Sequence, residues 1–354
     1  MKPSLIDPYK SKNWRRIAGW ALTVVLLIVV AYYGWQAILS NSHAPVQLVV
    51  YAFSTQEEVF TQGIFPAFEA QWEADTGRDL SIEGVFGPSG TLAGQINLGA
   101  PADVAVFSNA QHVTWLKFGR VVREDTELLV IGCTPMVIVT RPGNPAGLAE
   151  FADLAQPGLR LLHADPRSSG AGEWAVLAEY GSALLESGGQ SRAEAQLMDI
   201  WYNVRLLAPS GRAALTLFEL GAGDALVTYE QDARLALERG LELEIVVPES
   251  TILAQLEAVI VDDNVTRAER LTVEAFIEFL ASDDGQGILS RYHLRPADLD
   301  CQASPELIGA FTVEDLGGWA QAYTGLVENL WKTEIEPQLD LESALLVPGL
   351  GENK

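Results

Sequence analysis

DLSIEGVFGPSGTLAGQINLGAPADVAVFS, residues 79 to 108, carries the pattern on which the fold turns. An apolar run over 79–86 stops at Gly87-Pro88-Ser89-Gly90, a helical pattern begins at once with TLAGQI, and a second apolar run, ADVAVFS, occupies 102–108. The unit recurs. VQLVVYAF (46–53) runs into Ser54-Thr55 and QEEVF, LRLLHAD (159–165) into Ser168-Ser169-Gly170-Ala171-Gly172, and VRLLAPS (204–210) into Gly211-Arg212. Further apolar runs are PMVIVTR (135–141), DALVTY (224–229), LEIVVP (243–248) and EAVIVDD (257–263). Strands alternating with helices predict a mainly parallel, doubly wound α/β architecture. The near-continuous apolarity fits strands covered on both faces. Residues 267–290 read as one amphipathic helix, with Leu271, Ala275, Phe279 and Leu280 at helical spacing, and helical patterns fill 312–330.

Four strand ends share one design, a Ser/Thr/Gly-rich turn that opens a helix. A helix N-terminus offers free N–H groups and a partial positive charge, so it holds anions without a cationic side chain. Serine adds a hydroxyl and glycine permits close approach. In open α/β sheets ligands bind outside the carboxyl ends of strands, where these loops lie. For any one site the simpler reading is capping alone: Ser54 with Glu57, and Thr55 with Glu58, match a capping box.

Charge narrows the function classes. Residues 1–16 carry Lys2, Lys10, Lys12, Arg15 and Arg16 against Asp7, which leaves 18 basic and 46 acidic side chains, a net of −28, for the rest of the chain. So acidic a body argues against nucleic acid as a partner, since duplex binding relies on Lys and Arg neutralising phosphates. It also argues against anion capture by a basic funnel. From Ile17 to Leu39 no charge interrupts 23 residues, long enough to span a hydrocarbon core as a helix, with Trp14, Trp20, Tyr32, Tyr33 and Trp35 toward its ends. We expect a cytoplasmic basic segment (1–16), a transmembrane anchor (17–39) or uncleaved signal, a linker (40–45), an extracytoplasmic body and a flexible tail (346–354). A cleaved signal peptide is the rival, but its apolar region is shorter and Pro45 follows the loose Ser42-His43-Ala44 match at the position least suited to cleavage.

The segments GPSGTLAGQINLGAPADV, HADPRSSGAGEWAVLAEYGSAL, SGRAALTLFELGAGDALVTYEQDARLA, IVVPESTILAQLEAVIV, EFLASDDGQGILSRYHLRP and FTVEDLGGWAQAY resemble, in that order, the prokaryotic sulfate- and thiosulfate-binding proteins of ABC transporters, over about residues 47 to 330. The resemblance implies a two-lobed periplasmic-binding-protein type II fold with two hinge crossings, near 138–143 and 249–258. Lobe 1 is expected at 46–140 and 256–345, lobe 2 at 141–255. It further implies an anion held by uncharged donors, an ABC permease and ATPase as partners, and no cofactor. The ligand set it implies is Ser54, Thr55, Ser89, Gly90, Ser169, Gly170, Ala171, Gly211, Arg212 and Tyr229. Two positions depart from the family pattern: Ser54 stands in place of an aspartate, and Tyr229 in place of the indole donor. Sulfate or thiosulfate is the expected ligand, with molybdate, tungstate or phosphate as alternatives.

Side readings are plainer. Arg212 more often supports its loop through carbonyl contacts than touches the ligand, and Trp174 reads as a core residue. His112, His163 and His293 lack metal-ligand spacing. No GxSxG elbow occurs and no acid–histidine pair accompanies Ser89 or Ser169 in sequence, so an enzyme, such as a membrane-anchored hydrolase, is disfavoured. Cys133 and Cys301 do not make a disulfide framework; the favoured reading is a buried thiol in LLVIGCTPMVIV and a loose one near the C-terminus.

Overall fold

The structure is a computed structural model that describes residues 19–32, 46–297, 307–339 and 341. The expected segments 1–16 and 40–45, the tail 346–354 and the flanks of the 17–39 stretch lie outside the described residues. Residues 19–32 form a helix, α1, whose apolar side chains, Leu26 and Val30 among them, are exposed. Among the described residues no helix is long and apolar enough to cross a membrane.

The body opens with β1 (Val46–Phe53), a 3-10 turn at Ser54–Gln56, and a helical run made of α2 (Glu57–Val59), a π-helical stretch Phe60–Ile64 and α3 (Phe65–Thr76). Next come β2 (Leu80–Gly87), α4 (Ser89–Asn97), β3 (Val104–Phe107), α5 (Ala110–Phe118) and the long β4 (Leu129–Thr140). The second lobe holds β5 (Leu161–Ala164), α6 (Gly170–Ser187), α7 (Gln190–Trp201), β6 (Val204–Ala208), α8 (Gly211–Glu219), β7 (Ala225–Tyr229), α9 (Glu230–Glu238) and β8 (Glu244–Val246). The chain returns through β9 (Leu253–Ile260) to α10 (Arg270–Ala281), α11 (Asp283–Arg291), a 3-10 turn Val313–Leu316, α12 (Trp319–Ala322) and a π-helical segment Tyr323–Ile335.

The strand order is β2-β1-β3-β9-β4-β7-β5-β6, with β8 beside β4. Within each lobe the pairs are parallel: β1 with β2 and β3, β5 with β6 and β7. Every pair that involves β4 or β9 is antiparallel. The mainly parallel sheet expected from sequence is therefore half antiparallel, because the two strands that carry the chain out and back must run against their neighbours. β4 pairs with β9 through Pro135 and with β7 from Met136 onward, so one strand serves both lobes. At that exchange Met136 N–H donates to Ile252 C=O (3.0 Å) and the Thr251 hydroxyl donates to Met136 C=O (2.5 Å).

The expected single helix over 267–290 is two. Ser282, extended at ψ 161°, ends α10 and caps α11, its side chain accepting Gly285 N–H at 3.2 Å, with Asp283 and Asp284 complementing the new N-terminus. The final segment straps the molecule from behind. Trp319 packs edge-on to Trp174 (4.6 Å), Tyr323 to Trp115 (5.7 Å) and Trp331 to Trp201 (5.4 Å). Cys133, fully buried on the crossing strand, is disulfide-bonded, which corrects the expected free thiol. The sequence's other cysteine, Cys301, lies outside the described residues. Linear spacing gives no sign of such a bond, because it depends on what the fold brings beside β4 rather than on the sequence around Cys133.

A bond that ties the crossing strand restricts the unfolded chain, and breaking one typically costs about 2–4 kcal/mol. Reductant should lower the melting midpoint of the wild type, and leave that of a Cys133→Ala variant unmoved.

Candidate functional site

The four Ser/Thr/Gly turns converge. A small cavity between the lobes, of about 10 Å³, is lined by Ser54 and Thr55 after β1, Ser89 at the start of α4, Ser169, Gly170 and Ala171 at the start of α6, Gly211 at the start of α8, and Tyr229 at the end of β7. None of the described residues that line it is charged. The first N–H groups of an α-helix have no intrahelical acceptor. Gly170, Ala171 and Gly211 occupy such first-turn positions. Ser210 caps α8, its hydroxyl oxygen accepting Ala213 N–H (3.1 Å), while neither Ser54 nor Thr55 makes a side-chain cap. The capping-box reading of that turn therefore falls, and both residues lie on the cavity wall instead.

Two glycines set how close the walls come. A Cβ on Gly170 would overlap Ser108 Oγ, and one on Gly211 would lie 3.1 Å from the Ala171 Cβ. Ser108 was not among the expected site residues, although it ends the run ADVAVFS just as Ser54 and Ser210 end theirs; its following residue, Asn109, caps α5 by accepting His112 N–H at 3.3 Å. The Ser108 hydroxyl and the Tyr229 phenol are buried and make no hydrogen bond of good geometry within the protein. Burial holds the Tyr229 phenol well above its ordinary pKa, with nearby Asp232, Glu173 and Glu257 adding to the effect and the Ser108 hydroxyl opposing it, so Tyr229 keeps its proton and is a donor.

Gly90 and Arg212 lie off this wall. Gly90 N–H donates to Ser168 C=O at 3.0 Å. Arg212 stands behind Thr55 in an adjoining recess with Asp232 and Arg239, and its Nε donates to Ser54 C=O at 3.4 Å. Burial pushes Asp232 up to about 7, against the downward pull of Arg212, Arg239 and the Thr55 hydroxyl. Trp174 is fully buried and its indole donates to Ser108 C=O at 2.7 Å.

Several of these contacts cross from lobe to lobe. Gly90 to Ser168, Trp174 to Ser108, Asn109 Nδ2 to Glu173 Oε2 (2.6 Å) and Gln56 Nε2 to Gln231 Oε1 (2.8 Å) join residues of different sheets, as does the Arg239–Glu58 ion pair at 3.0 Å. The lobes are closed on each other. Closure also assembles a group that linear sequence could not show. His112 Nδ1 lies 3.0 Å from Ser89 Oγ, and His112 Nε2 lies 3.3 Å from Glu173 Oε1. An acid and a histidine thus accompany Ser89 in space though not in sequence. No group of three metal-ligating side chains occurs among the described residues.

Two lobes on a shared pair of strands, shut over a small uncharged wall of helix starts, define a binding protein that encloses its ligand. The comparisons agree. Residues 48–295 match the family of bacterial extracellular solute-binding proteins, and the chain belongs to that family. It is 32% identical over 293 residues to the sulfate-binding protein of Salmonella typhimurium, covering 78% of this chain and 88% of that one. To the sulfate-binding protein of Synechococcus elongatus it is 29% identical, covering 85% and 90%, and to the thiosulfate-binding protein of Pseudomonas aeruginosa 29%, covering 76% and 82%. In fold it matches the sulfate-binding protein SubI from Mycobacterium tuberculosis with a TM-score of 0.72 at 24% identity, over 79% of this chain and 99% of that one.

Gly170→Ala should prop the lobes apart, seen in small-angle scattering as a larger radius of gyration than the wild type under the same conditions. Asp232 supplies a pH test. Its folded pKa of about 7 lies above the unfolded value of 3.8, so its contribution is fully present below the unfolded value and is lost as pH rises to the folded one. Asp232→Asn should therefore raise the melting midpoint more at pH 8 than at pH 4.5, with an energetic gap of a few kcal/mol at about 1.4 kcal/mol per pKa unit.

Proposed function

We propose that the chain is the solute-binding component of an ABC-type importer and captures sulfate or thiosulfate in the cavity between its lobes. The observation that carries this reading is a wall of neutral donors with no carboxylate and no cation on it. A fully deprotonated oxyanion accepts hydrogen bonds and gives none, so backbone N–H groups and hydroxyls suit it, whereas a carboxylate acceptor on the wall would repel it. Ser54, standing where the sulfate binders are expected to carry an aspartate, and Tyr229, in place of their indole, give this wall a hydrogen-bond pattern different from theirs. The names of the curated relatives, sulfate-binding and thiosulfate-binding, point the same way.

Ser89, Ser169 and Tyr229 then serve as side-chain donors, and Gly170, Ala171 and Gly211 as backbone donors, with Ser54 and Thr55 closing the wall. Arg212 acts through Ser54 rather than on the ligand. The lobes, 46–140 with 256–345 and 141–255, open about β4 and β9 to admit the anion and shut on it, since the contacts that favour closure exist only with both walls in place. The closed form is what a permease with its ATPase would receive.

Residues 17–39 serve in this reading as a membrane anchor that holds the body on the extracytoplasmic side. The support is an uninterrupted apolar sequence whose described part, 19–32, is helical with its side chains exposed.

Calorimetry on the detergent-purified full chain tests the ligand. Sulfate or thiosulfate should bind tightly, Ser89→Asp should abolish the heat, and molybdate, tungstate and phosphate should compete weakly or not at all. Silence with every tetrahedral oxyanion sinks the proposal. The Ser89–His112–Glu173 contact gives a hydrolase its one geometric foothold, and incubation with activated carboxylic and sulfate esters should release no leaving group. For the anchor, the chain should stay with membranes through a carbonate wash with residue 1 intact; an N-terminus near Pro45 would show cleavage instead.

A further inference from the structure

Ser108, the residue that follows β3, puts its side chain on the cavity wall where the lobes come close. Its backbone is pinned from two sides: the N–H donates to Ser89 Oγ at 3.2 Å and the C=O accepts the Trp174 indole at 2.7 Å. The residue is 1% exposed, and its hydroxyl occupies the place that a Cβ on Gly170 would take, so it faces bare backbone at the first turn of α6. Tyr229, also 1% exposed, brings its phenol to the same wall from the end of β7, its ring held edge-on to Phe53 at 6.1 Å. The Ser108 hydroxyl is near enough to act on that phenol, yet neither oxygen has a hydrogen-bond partner of good geometry within the protein.

Counting hydrogens limits what this pair can do. Each hydroxyl carries one hydrogen, and burial keeps the phenol's in place. If Tyr229 donates to Ser108, the hydrogen of Ser108 has no acceptor; if Ser108 donates to Tyr229, the hydrogen of the phenol has none. Whichever way the two turn, at least one hydrogen is left over at the wall. The nearby carbonyl of Ser108 is held by Trp174, and the Glu173 carboxylate is engaged by Asn109 and His112. A buried donor without a partner is costly, so an acceptor placed between the lobes is favoured there and a further donor is not.

We propose that Ser108 is a ligand-binding residue which, paired with Tyr229, reserves one corner of the cavity for an oxygen atom and so selects sulfate over thiosulfate; the inference rests on the reading of the cavity as an anion site. The outer sulfur of thiosulfate is larger than an oxygen and a weaker hydrogen-bond acceptor. At this corner it fails on both counts. The approach of Ser108 to Gly170 leaves no room for a methyl group, and sulfur is comparably bulky. It would also leave strong donors poorly paired, the condition under which a polar site rejects an analogue most sharply. Turned round, thiosulfate sets its sulfur against the first turns of α6 and α8, where the walls are again tight: a Cβ on Gly211 would lie 3.1 Å from the Ala171 Cβ. An indole in the place of Tyr229 would supply a single fixed hydrogen. The hydroxyl pair supplies one or two, one hydroxyl from each lobe, and the corner is complete only when the lobes are shut.

Calorimetry on the detergent-purified full chain, with sulfate and thiosulfate in turn, tests this. The wild type should bind sulfate the more tightly. Ser108→Ala removes a donor and opens room, so sulfate affinity should fall about tenfold, the size of a hydrogen bond to a charged group, while thiosulfate affinity holds or rises. Tyr229→Phe should move the ratio of the two affinities in the same direction. A wild type that prefers thiosulfate, or a Ser108→Ala variant with unchanged sulfate affinity, overturns the inference and leaves the anion site standing. So does an equal loss of both anions with a lower melting midpoint, which is the result a purely structural serine would give. Should Ser108→Ala not fold, Tyr229→Phe decides through the same ratio. A wild type that binds no oxyanion overturns the anion-site reading, and this corner with it.

Discussion

The two lobes close because one of them presents bare backbone where they approach most tightly; a side chain there would hold them apart before the hydrogen bonds form. Gly170 is where this constraint bites, since a single methyl group there would occupy the place of Ser108 Oγ. Around that point the rest is arranged. The first turn of α6 reaches the end of β3, Trp174 fastens to the Ser108 carbonyl, and Glu173 reaches Asn109 and His112. The first turns of α6 and α8 then border one small space, and their partial charges add where no full charge is present.

The hinge answers a second constraint. A strand that belongs to both sheets confines the motion of one lobe against the other to bending where it passes between them, and β4 changes partners between Pro135 and Met136. The hydrogen bonds between Met136 and the Thr251–Ile252 pair keep the outgoing and returning chain in step. Behind the site, the strap of Trp319, Tyr323 and Trp331 packs on aromatic residues from α5, α6 and α7, so the elements that carry His112 and Glu173 also share a common backing.

Much of this was legible in the chain because βα turns leave a local signature. The runs ending at Phe53, Phe86, Ala164 and Ala208 identify strands whose following Ser and Gly residues do meet at one cavity. What was not legible depends on distance in sequence. Ser54 and Thr55 satisfy the local rule for a capping box, yet the tertiary placement of β1 turns them to the cavity. Glu173 lies 61 residues beyond His112, and no spacing rule connects them before the lobes close. The antiparallel pairing of β4 and β9 follows from the double crossing rather than from any feature of either strand. Ser282 could have been found, since Ser-Asp-Asp is a helix start in its own right, but the continuous apolar stripe around it reads as one helix.

The body's net charge of −28 bears on rate rather than on affinity. An anion approaching this surface is repelled until it is within the reach of the helix starts, and the repulsion extends about 10 Å at 0.1 M salt and about 30 Å at 0.01 M. Capture by neutral donors therefore proceeds against the protein's own field. Dissolved salt, which slows binding to a basic funnel, should quicken it here, and a saline medium would suit such a molecule better than fresh water.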